Sequence, residues 1–226
     1  MKSLIQRIKQ KEDIEKISKL IVAKPELLSE LVETMANDKT SLKFGCEKVI
    51  RTVSEKRPEL VYLYFDSFVR LLDSENRFLK WGATLTIANL AAVDSQNKFE
   101  EIFDKYYALV AGKEMVAGAN VVGSSWKIAL AKFKLVPIIT ERIMGVQNAR
   151  YEHKSRSSPE CKNVVLGQAI DSLAKFYDMI ENKEPVLAFV KKQLNNTRPQ
   201  VVKKAEKFLK QIAAKQEIKR RSWSGQ

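Results

Sequence analysis

The sequence contains little cysteine and little histidine. Cys46 and Cys161 are the only cysteines, and His153 is the only histidine. Neither cysteine has a second thiol or a histidine at metal-ligand spacing, so the sequence offers neither a disulfide framework nor a zinc site. His153 lies in a polar stretch, where we expect an exposed loop side chain, because a catalytic site needs several converging groups. We therefore expect no catalytic residue, no metal and no cofactor, and the protein is predicted not to be an enzyme.

Long apolar runs are also missing. No stretch of about 18 apolar residues occurs, so no membrane-spanning helix is predicted. Met1 to Lys11 is amphipathic and carries a charge every few residues, unlike the apolar core of a signal peptide. Free cysteines and the absence of a predicted leader favour a reducing, cytoplasmic location.

Alternation of apolar and polar residues, which is typical of strands, is absent over any useful length. Apolar residues instead recur every three or four positions in several stretches separated by Asn, Asp, Gly or Pro. These stretches are 25–36, 58–72, 99–110 and 184–194. The pattern predicts an all-α protein without a sheet.

Short motifs recur along the chain, each an apolar residue followed three positions later by a small one. Successive copies begin 37, 37, 50 and 36 residues apart. The copies are Leu42–Gly45, Leu79–Gly82, Val116–Ala119, Leu166–Ala169 and Val202–Ala205. In stacked helical hairpins, the apolar residue faces the core and the small residue lets neighbouring helices approach. A two-helix unit of this length is typical of helical solenoids.

The long third interval contains 13 surplus residues. The stretch Asn148–Glu160 has this length and is polar, with serines and a proline. We interpret it as an exposed loop inserted between repeats, and we expect limited proteolysis to cut there first. A second stretch, Gly118–Ser125, has glycines and hydroxyl residues like part of a phosphate-binding loop, but it lacks the lysine. Close helix packing explains it better.

The stretch Thr197–Ala205, continued by Leu209 and Ile212, resembles the second helix of a HEAT repeat. Lys43, Lys80 and Lys203 fall where that family often has a basic residue, whereas the corresponding Ala117 and Gly167 depart from the pattern. The resemblance covers residues 1–215 and implies a right-handed α-α superhelix, a HEAT/ARM-like solenoid of about five to six helical hairpins. It also implies a scaffold that binds through a concave surface of second helices. We expect one domain over residues 1–215 and a disordered, basic polar tail over residues 216–226.

The net charge of +13 is unevenly distributed. Residues 58–182 carry 15 basic and 15 acidic side chains, whereas residues 183–226 carry 12 basic and 3 acidic ones. A localised basic surface attracts acidic protein segments or phosphates. On a helix, Lys203, Lys207 and Lys210 would share one face, opposite Phe208 and its apolar neighbours. Binding residues are expected among Lys43, Arg77, Lys80, Trp81, Lys203, Lys207 and Lys210.

Two classes of function remain open from the sequence. The first is a protein-binding adaptor that recognises an acidic or helical segment of a partner through its concave face or its basic C-terminal helices. The alternative is a protein that binds the phosphate backbone of a nucleic-acid duplex. A fainter likeness, to the HEAT-like alkylpurine DNA glycosylases, is not accompanied by matching catalytic residues. The aromatics of the basic region, Phe189 and Phe208, lie on the apolar face, which argues against stacking of single-stranded bases there.

Overall fold

The computed structural model describes residues 3–223, and helices dominate this part of the chain. The chain forms two compact units, with the boundary between Tyr106 and Tyr107 inside one helix. The predicted all-α helical-repeat fold is confirmed. Each recurring motif lies in a different long helix, and the phosphate-loop-like stretch Gly118–Ser125 lies inside one of these helices.

The first unit contains short and long helices in alternation, with 3-10 turns between several of them. Its helices are α1 (Leu4–Lys9), α2 (Ile14–Ala23), α3 (Leu28–Asn37), α4 (Leu42–Lys56), α5 (Pro58–Val61), α6 (Phe65–Leu71), α7 (Arg77–Leu90), α8 (Lys98–Glu101) and the first part of α9 (Phe103–Ala111). In this unit α3 packs on α4, α6 packs on α7, and the longer helices α2, α4 and α7 pack in sequence. We call α4 and α7 the second helices of their hairpins.

Local sequence signals fix several helix starts in this unit. Asp13 and Asn76 accept hydrogen bonds from backbone N–H groups in the first turns of α2 and α7, as N-cap side chains do. The buried carboxylate of Asp94 accepts hydrogen bonds from the backbone N–H groups of Lys98 and Phe99, both at 2.9 Å. The Tyr62 hydroxyl donates to the same carboxylate at 2.5 Å. This aspartate therefore ties the start of α8 to the hairpin before it.

The second unit repeats the same arrangement. Its helices after α9 are α10 (Met115–Ala131), α11 (Val136–Met144), α12 (Pro159–Phe176), α13 (Glu184–Lys192) and α14 (Pro199–Trp223). The second helices α10, α12 and α14 pack in sequence, and the first helices α11 and α13 pack against them. The layer of second helices is thus the common feature of both units, and it carries all the recurring motifs.

The small residue of the motif has the predicted role where two helices meet most closely. A Cβ atom added to Gly45 would lie 2.5 Å from Cγ2 of Ile8, and one added to Gly82 would lie 2.0 Å from Oε1 of Glu47. Ala169 and Ala205, the equivalent residues of later repeats, are fully buried. Small residues at this position therefore allow contact between neighbouring helices.

The stretch Asn148–Glu160 is not simply an exposed loop. It contains a β-hairpin with strands β1 (Glu152–His153) and β2 (Arg156–Ser157), and α12 already begins at Pro159. The expectation of no sheet is therefore wrong for these residues. Lys154 and Ser155 have φ values of 49° and 62°, so the hairpin closes with both turn residues in the left-handed region that a two-residue turn of type I′ needs.

Tyr151 anchors this hairpin to the second unit. Its side chain is 0% exposed, and its hydroxyl donates to the carbonyl oxygen of Val110 at 2.6 Å. The backbone N–H of Glu152 donates to the carbonyl oxygen of Lys113 at 3.0 Å. The hairpin tip, including His153, is exposed as expected. The insertion is thus a short arm with an exposed tip and a buried base.

The last helix continues beyond the predicted end of the repeats. α14 extends to Trp223, so residues 216–223 are helical where the sequence suggested a disordered tail. These residues include Gln, Glu, Ile, Lys and Arg but no proline or glycine. Residues with favourable or moderate helix propensity allow the helix to extend. Residues 224–226 of the predicted tail lie outside the described residues.

Candidate binding face on the second helices

The N-terminal parts of α4 and α7 carry a cluster of three aromatic rings, which we call the aromatic platform: Phe44, Phe78 and Trp81. The ring centroids of Phe44 and Phe78 are 5.5 Å apart, and those of Phe78 and Trp81 are 5.1 Å apart. Phe44 and Trp81 are half-buried, whereas Phe78 is 63% exposed. An aromatic side chain is therefore presented to solvent on a support of two other rings.

Three basic residues named from the sequence are chain neighbours of the platform residues: Lys43, Arg77 and Lys80. Lys43 is half-buried, and its Nζ lies 5.5 Å from the centroid of the Phe44 ring. Arg77 is the first residue of α7 and is exposed, while Lys80, three residues later, is half-buried. Helix N-termini add partial positive charge to the same turns. The residues Lys43, Arg77, Lys80 and Trp81 thus lie near the starts of two helices that pack together.

An acid–base pair follows the platform along α4. Glu47 accepts a hydrogen bond from Nε of Arg51 at 2.9 Å, and its side chain is 13% exposed. Burial raises the pKa of Glu47, and the positive charge of Arg51 opposes this shift. The carboxylate lies against Gly82, which has no side chain to displace it. The absence of a side chain at this motif position therefore makes room for a polar pair between α4 and α7.

The second unit has a related pair at equivalent motif positions. Asp171 and Lys175 follow Leu166 by the same intervals at which Glu47 and Arg51 follow Leu42. Asp171 forms an ion pair with Lys204 of α14 at 2.5 Å, and Nζ of Lys204 also donates to the carbonyl oxygen of Gly167 at 3.3 Å. The same position on a second helix therefore contacts the next second helix in both units.

Trp126 is an aromatic residue in the middle of α10, a second helix of the second unit. It is half-buried, and Nζ of Lys175 lies 4.1 Å from the centroid of its ring. Nζ of Lys127 lies 5.7 Å away. Ammonium groups over an aromatic face are held by cation–π attraction, so two positive charges lie beside the Trp126 ring.

The predicted lysine face of α14 is exposed. Lys203, Lys207 and Lys210, which we call the lysine stripe, are all exposed, whereas Ala205, Phe208 and Ile212 are buried. The neighbouring Lys204 is half-buried and points instead to α12. A groove of about 210 Å³ between α12 and α14 is lined by side chains that include Asn163, Gln168, Arg198 and Lys204.

The seven residues named from the sequence form two groups. Lys43, Arg77, Lys80 and Trp81 belong to the first unit, and the lysine stripe belongs to the second. Sequence reasoning missed Phe44, Phe78 and Lys175. Phe44 lies within the first motif and Phe78 immediately precedes the second, so their positions relative to Lys43 and Lys80 were an available signal.

Residues 3–223 include no cluster of three or more His, Cys, Asp or Glu side chains arranged to hold a metal ion. Cys46 is buried and free, and burial raises the pKa of its thiol to about 11. Cys161 is also buried and free. Among the described helices, none is both long and apolar enough to cross a membrane.

Solved structures with a similar fold are designed armadillo repeat proteins. One has 16% sequence identity, covers 92% of this chain and 99% of its own, and has a TM-score of 0.53. Another, solved in complex with the peptide (KR)4, has 16% identity, covers 91% of this chain and 90% of its own, and has a TM-score of 0.53. No protein-family model matches the sequence, and no curated protein is significantly similar to it. The chain therefore has an armadillo/HEAT-like helical-repeat fold.

Proposed function

We propose that this protein is a non-catalytic scaffold that binds an acidic segment of a partner protein on its second helices. The observation that carries the proposal is the surface of these helices, where exposed or half-buried aromatic and basic side chains recur in both units. Such a surface offers an apolar contact beside positive charge, which suits a peptide with acidic side chains.

A peptide ligand is supported by the fold of the similar structures. One of those designed proteins is in complex with the peptide (KR)4, so an armadillo repeat layer can hold a peptide. That ligand is basic, whereas the second helices of this chain carry Lys43, Lys175 and the lysine stripe. Charge complementarity therefore favours an acidic ligand here.

Glu47 and Asp171, the acidic side chains described above, do not compensate the positive charge towards a ligand. Glu47 is hydrogen-bonded to Arg51, and Asp171 is paired with Lys204. Their negative charge is thus already balanced by a neighbouring base. The exposed lysine stripe remains on the solvent side of α14 and adds to the attraction of an acidic segment.

The lysine stripe supplies the first test of this function. In the variant K203E/K207E/K210E, three attractive charges become repulsive while the buried face of α14 is kept. Exposed ion pairs contribute ~0.2–1 kcal/mol each, so the affinity for a fluorescein-labelled polyglutamate peptide should fall about tenfold or more at low salt. Fluorescence anisotropy measures this change, and the melting temperature should stay close to that of the parent.

A matched control places the same charge change on the first helices of the same unit. The control uses three exposed lysines: Lys134 lies in the 3-10 turn just before α11, and Lys191 and Lys192 lie in the last turn of α13. The variant K134E/K191E/K192E should bind polyglutamate almost as well as the parent. Equal losses in both variants would mean that only net charge matters, and the proposed face would be wrong. Stronger binding of a DNA duplex than of polyglutamate, lost only in the stripe variant, would favour the alternative nucleic-acid function.

A further inference from the structure

The aromatic platform presents an exposed ring on two supporting rings, with a lysine beside them. Stability of the fold does not require a ring to be exposed there. Phe78 is 63% exposed although it contacts two other rings, and its neighbours Phe44 and Trp81 are half-buried. We infer that the platform is a docking site for one apolar side chain, aromatic or large aliphatic, flanked by acidic residues in the bound protein segment. This inference rests on the proposed function and defines the motif that the scaffold selects.

The ring geometry favours a single anchor over a strand of stacked bases. The ring planes are inclined by 55° between Phe44 and Phe78 and by 62° between Phe78 and Trp81. Single-stranded nucleic acids are held by ring faces on which successive bases stack. Here the rings contact each other at inclined angles, so they form one continuous apolar surface and do not offer separate parallel faces on which successive bases could stack. One buried side chain of a partner fits such a surface.

The charges around the platform define the flanking residues. Lys43 lies beside Phe44, and Arg77 and Lys80 belong to the first turn of α7. The nearby carboxylate of Glu47 is engaged by Arg51. The backbone N–H groups at the starts of α4 and α7 add positive potential. Acidic residues next to the anchor would therefore be attracted, whereas basic flanks would be repelled.

Short peptides of Asp, Glu and Ser with one central residue provide the test. The central residue is Trp in one fluorescein-labelled peptide and Ala in the other, so that charge is constant. Burying a large apolar side chain strengthens binding about tenfold to a hundredfold. We expect the Trp peptide to bind the parent protein more tightly than the Ala peptide by this factor, as measured by fluorescence anisotropy at low salt.

Substitution of the exposed ring locates the effect. Phe78→Ala should abolish the preference for Trp over Ala and leave the melting temperature nearly unchanged, because the side chain is mostly exposed. Phe133→Ala is the matched control, since Phe133 is 68% exposed and lies in the second unit, away from α4 and α7 in sequence. The control should keep the full preference.

The outcomes separate this inference from the proposed function. Equal binding of the two peptides by the parent, or a preference that survives Phe78→Ala, overturns the docking site while leaving the scaffold function intact. Failure of both peptides to bind the parent at low salt overturns the scaffold function itself. Tighter binding of an oligo-uridine probe than of the Trp peptide, lost in Phe78→Ala, overturns the protein anchor in favour of stacked bases.

Discussion

The buried anchor of the β-hairpin gives the sharpest prediction about stability. In Tyr151→Phe the ring is retained and only the hydroxyl is lost, which removes the 2.6 Å hydrogen bond to the carbonyl oxygen of Val110. Val110 lies in the last turn of α9, where carbonyl groups have no partner within the helix. A buried acceptor left without its donor costs about 1–3 kcal/mol. In Tyr151→Ala the loss of the whole buried side chain costs about 3–5 kcal/mol.

Urea unfolding followed by far-ultraviolet circular dichroism measures both changes. Tyr177→Phe is the matched control, because the Tyr177 hydroxyl is buried and has no hydrogen-bond partner among the described residues. Its removal should change the free energy of unfolding by well under 1 kcal/mol. Equal effects of Tyr151→Phe and Tyr177→Phe would refute the anchoring role.

Trypsin reports the same anchor independently. The exposed sites Lys154 and Arg156 should be cleaved first in the parent and much faster in Tyr151→Ala, because release of the hairpin base frees its backbone. Resistance of these sites while interior sites are cut would contradict this assignment.

Three further experiments test individual contacts of the fold. Gly82→Ala should destabilise the protein by about 1–2 kcal/mol, because the added Cβ would overlap the side chain of Glu47. Gly167→Ala should be neutral or stabilise the protein by up to about 1 kcal/mol, because its Cβ meets only ordinary contacts. Thermal melting compares the two variants. Burial and the hydrogen bond to Asp94 raise the pKa of Tyr62 to about 12. The contribution of Tyr62 to the free energy of unfolding is therefore complete below pH about 10 and is lost towards pH 12. Tyr62→Phe should flatten this part of a profile of stability against pH. The buried Cys46 thiol, with its pKa raised to about 11, should react slowly with a disulfide reagent at neutral pH until urea unfolds the chain.

The helical-repeat fold was predictable because its signal is distributed along the whole chain. Leu42, Leu79 and Leu166 begin three of the recurring motifs and are buried in different second helices. The repeated interval therefore reflects a repeated packing position, which a single sequence can show. The exposed lysine stripe was predictable for the same reason, since helical periodicity alone separates it from Phe208 and its buried neighbours.

The hairpin was not predictable from local signals. Its turn residues are Lys154 and Ser155, and neither is the Asn or Gly that favours positive φ values. The strands have two residues each, too short for an alternating pattern. The burial of Tyr151 was not predictable from its polar neighbours in sequence, because it depends on tertiary contacts. Its hydroxyl bonds to Val110, and its ring lies against Gly118, where a Cβ would be 2.8 Å from the ring.

The aromatic platform was only partly predictable. Trp81 and Lys80 were expected to contribute to binding, but the contact of Phe78 with Phe44 depends on how α7 packs on α4. Helical periodicity shows which residues share one face of a helix, but it does not show which residues of two packed helices meet. The pairing of Asp171 with Lys204 was missed for the same reason.

Hydrogen exchange of the amide groups tests the central claim most directly. The probe is the Trp-centred acidic peptide, added to the full chain at saturating concentration. We predict slower exchange at the starts of α4 and α7, with little change in the first helices α3 and α6 of the same unit. Protection confined to the first helices would contradict binding on the second helices.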